Sequence, residues 1–239
     1  MRKALSAFLL LAVSCSGAAV VRHPAPRSQQ PASTEDQPTS TPSPRPAVVF
    51  AIDPIGPELR SILVGRNWHP GCPVPIRDLR VLTVTYWGFD GSPHQGPLIV
   101  NERVADDVLW VFRRLYRHRF PIKRIAIPHR WREPTRADYF STADVTGAFN
   151  CRPVTEGTTL SQHSWGWAID INPLQNPYVR SDGKVLSKPS KAYVDRSQDL
   201  PGMIHQGDIV VRSFARIGWG WGGDWTTLKD YMHFSLTGR

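Results

Sequence analysis

Cysteine is scarce in this 239-residue chain, and long hydrophobic runs are absent. Its three cysteines are Cys15, Cys72 and Cys151, and neither of the last two has the spacing of a zinc-thiolate site. The apolar run at residues 4–13 is too short to cross a bilayer as a helix. No internal repeat is visible. The sequence therefore disfavours a thiolate metal domain, a repeat protein and a membrane-spanning segment.

Basic charge is in excess but not concentrated. The chain has 29 Lys and Arg against 20 Asp and Glu, a net charge of +9. Residues 1–47 hold five basic and two acidic residues, or +3, which leaves +6 for residues 48–239. Such a surface attracts polyanions. Since the basic residues are scattered outside residues 113–119, we interpret that stretch as a solvated helix face and expect no nucleic-acid partner.

The first 18 residues have the organisation of an export signal. Arg2 and Lys3 precede the apolar run, as in a signal peptide. Two cleavage positions fit: residues 11–15 (LAVSC) resemble a lipobox cut before Cys15, and residues 16–18 (SGA) resemble a small-x-small site cut after Ala18. We favour the lipobox, which predicts a lipid anchor at Cys15 as the only membrane contact and an extracytoplasmic location.

Residues 19–47 are predicted to be a linker and residues 48–239 a single folded domain. Seven of the chain's 22 prolines lie in residues 22–47, with few large apolar groups, a composition that cannot bury a core. An extended segment of this length would reach roughly 80 Å at about 3.1 Å per residue. In an oxidising compartment Cys72 and Cys151 would form a disulfide, the alternative being two buried free thiols.

Residues 161–171 (SQHSWGWAIDI) combine a histidine and an aspartate in a pattern typical of a metal site. Trp167, Ile169 and Ile171 alternate with small residues and Asp170, which predicts a strand that directs Asp170 to one face. His163 precedes this strand, and Gly166 allows the backbone to fold it back towards Asp170.

Residues 230–234 (DYMHF) supply a second histidine and another carboxylate. Met232, Phe234 and Leu236 alternate with His233 and Ser235, which predicts a half-buried strand with His233 facing a cleft. Two imidazoles and one carboxylate suit Zn²⁺ and leave a fourth position for water. Asp230, expected in the turn before the strand, could then act as a general base.

Together these motifs resemble those of the VanY-like zinc D-alanyl-D-alanine carboxypeptidases and L-alanyl-D-glutamate endopeptidases. The resemblance extends to residues 71–74 (GCPV), 148–152 (AFNCR) and 218–225 (GWGWGGDW). It implies that one Zn²⁺ is held by His163, Asp170 and His233, that Asp230 is the catalytic carboxylate and that Ser161 faces the substrate. Peptidoglycan stem peptides are the implied substrate, with carboxypeptidase and endopeptidase action both open.

Three more residues are candidates near the reacting centre. Arg152 could stabilise an oxyanion or bind a terminal carboxylate, and the alternative is an ordinary surface arginine. Asp224 competes with Asp230 as the base, although its Gly- and Trp-rich loop suits shaping of a groove. Five tryptophans flank the motifs, and Trp225 is expected to be the most exposed and to contact substrate. They are Trp165, Trp167, Trp219, Trp221 and Trp225.

The remaining helix and strand signals indicate an α+β fold with a small antiparallel sheet that carries the site and is flanked by helices, as in hedgehog and D,D-peptidase domains. A strand is predicted over Leu79–Trp87, followed by turn residues 90–93. A helix is predicted from Asn101 to a stop at Pro121, with an apolar stripe. Further predictions are a strand at residues 125–127, a helical turn at 135–142 and a helix at 207–217.

Other function classes fit less well. Neither Ser161 nor Ser164 has the neighbours that a serine nucleophile needs. A structural zinc domain would need a fourth protein ligand, and no other histidine lies in a comparable motif. A zinc-stabilised wall-binding or signalling module without turnover stays open, because related folds such as the hedgehog signalling domain keep the metal site in non-peptidase roles. The presence of Asp230 in the position of a base favours an enzyme.

Overall fold

The computed structural model of the chain describes residues 47–127, 143–155 and 157–239, all within one compact unit. Within these ranges it has three α-helices and eight strands, the latter in antiparallel sheets, so the predicted α+β class is confirmed. The helices are α1 (Pro57–Leu63), α2 (Ala105–Arg117) and α3 (Ile209–Arg216).

The first sheet has the strand order β1-β2-β3 and gives α2 its packing surface. Its strands are β1 (Phe50–Pro54), β2 (Leu79–Trp87) and β3 (Pro93–Asn101). In β2 the residues Leu82 and Val84 are fully buried beneath the apolar stripe of α2. A hairpin joins β2 to β3 through the predicted turn, where Gly91 has φ +73°.

Helix α2 begins after a short 3₁₀ turn rather than directly at Asn101. The Asn101 side chain accepts a hydrogen bond from the Arg103 backbone N–H at 3.1 Å and so caps that turn. Its stripe of Val108, Val111, Phe112 and Leu115 is buried against the sheet, as the periodicity predicts. The helix ends at Arg117, before Pro121 is reached.

The second sheet lies against the same core and has the order β4-β8-β6. Its strands are β4 (Ala168–Asp170), β6 (Gly220–Trp221) and β8 (His233–Ser235). Ile169 and Phe234 pair across β4 and β8 and point into the core, where Phe234 stacks on Phe214 of α3 at 4.2 Å. The residues on either side of them, including Asp170 and His233, therefore face away from the core. A third, two-stranded sheet pairs β5 (Tyr178–Val179) with β7 (Lys229–Asp230). Along the chain, β5 follows β4 and β7 precedes β8.

A disulfide joins Cys72 to Cys151, which confirms the predicted pairing. The bridge spans 79 residues and lies in a small second core with Leu63, Leu79 and Phe149. The backbone N–H of Cys151 also donates to the carbonyl of Asn67 at 2.9 Å. The segment that leads into Arg152 is thereby fixed to the loop that follows α1.

Several local predictions differ from the structure. With described partners, residues 125–127 form only one bridge, between Ile125 and Thr146, and the predicted helical turn at 135–142 lies outside the described residues. Strand β3 was not predicted, because Pro93, Gly96 and Pro97 interrupt its apolar pattern. Strand β8 stops at Ser235, which is buried, whereas Leu236 is 39% exposed. The predicted alternation fails there because β8 is a central strand covered on both faces.

The described residues include no helix with the length and hydropathy needed to cross a membrane.

Candidate metal centre

His163 is held by a short 3₁₀ helix (Gln162–Trp165) whose two ends are specified by sequence. At its start the Ser161 hydroxyl oxygen accepts from the His163 backbone N–H at 3.3 Å. At its end Gly166 has φ +68°, the left-handed conformation that reverses the chain towards β4. A Cβ at Gly166 would lie 2.5 Å from the Asn101 backbone nitrogen. The predicted role of Gly166 in folding His163 back is confirmed.

The pairing of β4 with β8 brings the three predicted ligands together. Asp170 lies opposite His233 in the antiparallel register. Asp170 Oδ1 is 3.2 Å from His163 Nε2 and 3.0 Å from His233 Nδ1. One ligand atom from each residue lies within 4.8 Å of the other two, so the group could hold a metal ion.

The donor atoms of this group are spaced as the ligands of a tetrahedrally coordinated cation would be. Nδ1 of His163 is 2.6 Å from the carbonyl oxygen of Ala148, so it carries the proton in the neutral ring and Nε2 presents a lone pair towards Asp170. In that tautomer the lone pair faces a carboxylate oxygen 3.2 Å away, a contact that either a proton on Nε2 or a bound cation would make favourable. Two ligands at about 2.0 Å from a tetrahedral Zn²⁺ are separated by about 3.3 Å, close to these distances.

A second cluster of metal-ligating residue types lies at His69, Cys72 and Cys151. Both of its sulfur atoms are consumed by the disulfide, so it does not compete as a metal site.

Asp170 is stabilised as a carboxylate by its histidine neighbours. Burial alone would raise the pKa of Asp170, but the adjacent His163 and His233 hold the pKa well below the ordinary range. An ionised carboxylate between two imidazoles is the protonation state that a metal ligand requires.

Asp230 lies beside this group but outside it. The carboxylate is at the end of β7, paired with Tyr178 of β5, and not in the predicted turn, because β5 supplies a partner strand that local sequence cannot reveal. Its Oδ1 atom is buried and has no hydrogen-bond partner among the described residues. Burial and the nearby charge of Asp170 raise the pKa of Asp230 to about 7, against the opposing effects of His233 and Arg152.

The candidate ligands form one wall of a cavity of about 380 Å³. The predicted residues Arg152, Ser161, Trp225 and Asp230 line the same cavity. Asp224 is exposed and is not among the lining residues, which favours Asp230 as the base. The other lining residues are Val154, Thr155, Thr159, Leu160, Gln162, Tyr178, Leu228 and Arg239.

A family model described as D-alanyl-D-alanine carboxypeptidase matches residues 155–236. The VanY-like resemblance is confirmed over this segment. The match contains all three candidate ligands and Asp230, and it supports a peptidase of the D-alanyl-D-alanine carboxypeptidase type. No curated protein and no solved structure shows significant similarity to the chain.

Arg152 precedes the matched carboxypeptidase segment but is fixed to it by hydrogen bonds. The Ser164 hydroxyl accepts from the Arg152 backbone N–H at 3.0 Å and donates to the Arg152 carbonyl at 2.9 Å. Because Ser164 is in the same 3₁₀ helix as His163, Arg152 is positioned relative to the first ligand. Its guanidinium makes a 3.0 Å hydrogen bond to the Pro153 carbonyl and has no ion pair with a described acidic residue. Ser164 was missed as a positioning residue.

The five tryptophans that flank the motifs differ in burial. Trp219 and Trp221 are buried in the core, whereas Trp165, Trp167 and Trp225 are partly exposed. The Trp225 ring lies 5.5 Å from the His233 ring, and its Nε1–H donates to the Gly238 carbonyl at 2.7 Å.

Tyr178, Leu228 and Arg239 were not predicted to line the cavity. Their sequence neighbourhoods carry no motif, and only the β5–β7 pairing and the turn after β8 bring them to the site. The Ser235 hydroxyl, at the end of β8, donates to the Arg239 carbonyl at 2.8 Å.

Proposed function

We propose that this chain is an extracytoplasmic zinc peptidase that hydrolyses a peptide bond in peptidoglycan stem peptides. The observation that carries the proposal is the convergence of His163, Asp170 and His233 in the wall of a cavity that also presents the separate carboxylate of Asp230. The family match supports the peptidase class.

Zinc is the ion that best suits this donor set. Two imidazole nitrogens and one carboxylate oxygen are common ligands of catalytic zinc, and three protein ligands leave one position open. When bound, the ion would act as a Lewis acid and lower the pKa of a coordinated water. His163 Nε2, Asp170 Oδ1 and His233 Nδ1 would hold it, one ion per domain.

Asp230 moves the proton in the proposed reaction. Its carboxylate accepts a proton from the attacking water and returns it to the nitrogen of the leaving amine. In the metal-free protein, burial and the neighbouring Asp170 raise the pKa of Asp230 to about 7, so this carboxyl can gain and lose a proton near neutral pH. No covalent intermediate is needed.

Arg152 is proposed to bind negative charge on the substrate. Its side chain lines the cavity and acts electrostatically on Asp230, so it lies near the reacting centre. A guanidinium there could stabilise the developing oxyanion or bind the terminal carboxylate of a stem peptide in a bidentate way.

The proposed location follows from the sequence and agrees with the disulfide. A bridge between Cys72 and Cys151 is typical of oxidising compartments. The predicted signal peptide, linker and lipid anchor at Cys15 would hold the enzyme at the cell wall or the outer face of the membrane, and these residues lie outside the described ranges.

Mass spectrometry of stem peptides tests the proposal. A synthetic stem pentapeptide that ends in D-Ala-D-Ala is incubated with the full chain and Zn²⁺, with Asp230→Asn as the matched inactive variant. Loss of the terminal alanine identifies a carboxypeptidase, and a cut after L-Ala identifies an endopeptidase. If the chain binds the peptide and cleaves none of it, a wall-binding module without turnover replaces the peptidase.

A further inference from the structure

Five side chains form a continuous stack on the side of the domain built by β1, β2 and α2. The Cζ atom of Arg119 lies 4.7 Å from the ring centroid of Trp87, which stacks on Tyr116 at 5.5 Å. Tyr116 meets Phe50 edge-on at 5.8 Å, and the Cζ atom of Arg113 lies 5.5 Å from the Phe50 ring. We call these five residues the arginine–aromatic row. None of them lines the catalytic cavity.

The row holds its two guanidinium groups in place without neutralising them. The three rings are half-buried, and the two arginines at its ends are exposed. Trp87 Nε1–H donates to the Tyr116 carbonyl at 3.0 Å, and Arg113 donates to the Phe50 carbonyl at 3.3 Å. A guanidinium stacked on an aromatic face keeps its charge and its in-plane N–H donors. Because the stacking already orders the arginine side chain, less conformational entropy is lost when a ligand binds to it.

Further cationic side chains lie close to the row in the sequence. Among the described residues, Arg113 and Arg119 form no ion pair with an acidic group, and the same holds for the neighbouring cations. Those neighbours are Arg114, Arg117, Lys123 and Arg124. The acidic residues of α2 lie in its first turn, at the end of the helix away from the row. A concentration of cationic side chains of this kind favours a polyanionic partner.

The geometry of the rings decides which polyanion fits. Single-stranded nucleic acids gain affinity by stacking bases on free aromatic faces, but these faces are covered by the arginines or by each other. Insertion into a bilayer likewise needs apolar groups that are free to enter it. What remains available is the guanidinium fork, which matches phosphate oxygens in a bidentate way.

We propose that the arginine–aromatic row binds the phosphate groups of a polyol-phosphate polymer of the cell wall. The choice of a wall polymer rests on the proposed extracytoplasmic function, whereas the phosphate chemistry rests on the row alone. Binding there would hold the enzyme on the wall while its cavity stays open to peptides.

Binding of the full chain to poly(glycerol phosphate), measured over a salt series, tests the proposal. Arg113→Gln combined with Arg119→Gln should weaken binding about tenfold or more and lower the slope of log affinity against log salt by about 1.4, since each phosphate contact contributes about 0.7. Arg103→Gln combined with Arg216→Gln removes the same charge from exposed residues outside the row and should change binding little. Arg113→Lys with Arg119→Lys keeps the charge but loses the fork and should bind more weakly than the wild type.

Hydrolysis of a short stem peptide is measured in parallel and should be unchanged in all three double variants, so a failure of the peptidase proposal is recognised separately. Four results would overturn the proposed role of the row. They are no binding of poly(glycerol phosphate) by the wild type, equal losses in the row and control variants, unaltered binding by the lysine variant, and tighter binding of oligothymidylate or anionic vesicles.

Discussion

Replacement of Asp230 by asparagine should stabilise the metal-free protein, although it removes the proposed base. Burial and the charge of Asp170 raise the pKa of Asp230 from 3.8 to about 7 in the folded chain. A carboxyl group whose pKa is raised on folding contributes stability below its unfolded pKa and loses it as the pH rises through the folded value. The wild type should therefore lose stability between about pH 4 and pH 7 through this one group, and the asparagine variant should not.

The size of the effect follows from the shift. A difference of about three pKa units corresponds to about 4 kcal/mol at about 1.4 kcal/mol per unit, and small movements of the cavity would relieve part of it. We expect metal-free Asp230→Asn to be about 2–4 kcal/mol more stable than the metal-free wild type at pH 8. The gain should fall as the pH approaches 4, where the wild-type carboxyl is protonated in both states.

Urea denaturation in the presence of a chelator, at a series of pH values with the disulfide intact, measures this difference. Asp224→Asn is the matched control, because Asp224 is an exposed carboxylate outside the cavity, and it should show no such pH-dependent gain. Equal stability of the wild type and Asp230→Asn at pH 8 would refute the inference that Asp230 is strained by burial beside Asp170. With Zn²⁺ restored, the same variant should keep its metal but lose hydrolysis by at least about 100-fold.

Three further predictions concern the ligands, the disulfide and the turn after His163. His163→Ala, Asp170→Ala and His233→Ala should each abolish stoichiometric zinc in elemental analysis, and full occupancy in all three would reject the ligand set. The denatured, unreduced domain should show no free thiol in a colorimetric thiol assay, and Cys72→Ala with Cys151→Ala should cost about 2–5 kcal/mol in urea denaturation. Gly166→Ala should weaken zinc binding and lower the free energy of unfolding by at least about 1–2 kcal/mol, because the backbone at Gly166 is left-handed and a Cβ would collide with Asn101. A variant as stable as the wild type would contradict the left-handed turn at this position.

The ligand set could be predicted from sequence because each ligand lies in a segment whose local pattern fixes its direction. Asp170 alternates with buried residues along β4, and Gly166 marks the reversal that returns His163 to the strand. The disulfide could be predicted because Cys72 and Cys151 are the only cysteines in the domain. Local periodicity and composition, together with the resemblance to the VanY-like peptidases, were the basis of these predictions.

The rest of the cavity depends on contacts between distant segments. Asp230 was expected in a turn, and its strand exists only because Tyr178, 52 residues earlier, pairs with it. Strand β3 contains two prolines and a glycine, and it is a strand because β2 offers a complete antiparallel partner. Residues 113–119 were interpreted as a solvated helix face. The sequence does not show that Phe50 of β1 lies beneath Arg113 or that Trp87 of β2 lies beneath Arg119.

The two carboxylates of the site are distinguished by their neighbours. Asp170 lies between two imidazoles that favour its ionised form, whereas Asp230 has a buried oxygen without a hydrogen-bond partner among the described residues and the charge of Asp170 beside it. A lowered pKa keeps the Asp170 carboxyl ionised, as a metal ligand must be. A raised pKa allows the Asp230 carboxyl to gain and lose a proton, as the proposed base must do. The negative charge of Asp170, the candidate ligand, raises the proton affinity of Asp230 in the metal-free protein, so the proposed ligand and the proposed base are electrostatically coupled. This coupling follows from the register of β4 with β8, which places Asp170 opposite His233, and from the short β7 strand that brings Asp230 alongside.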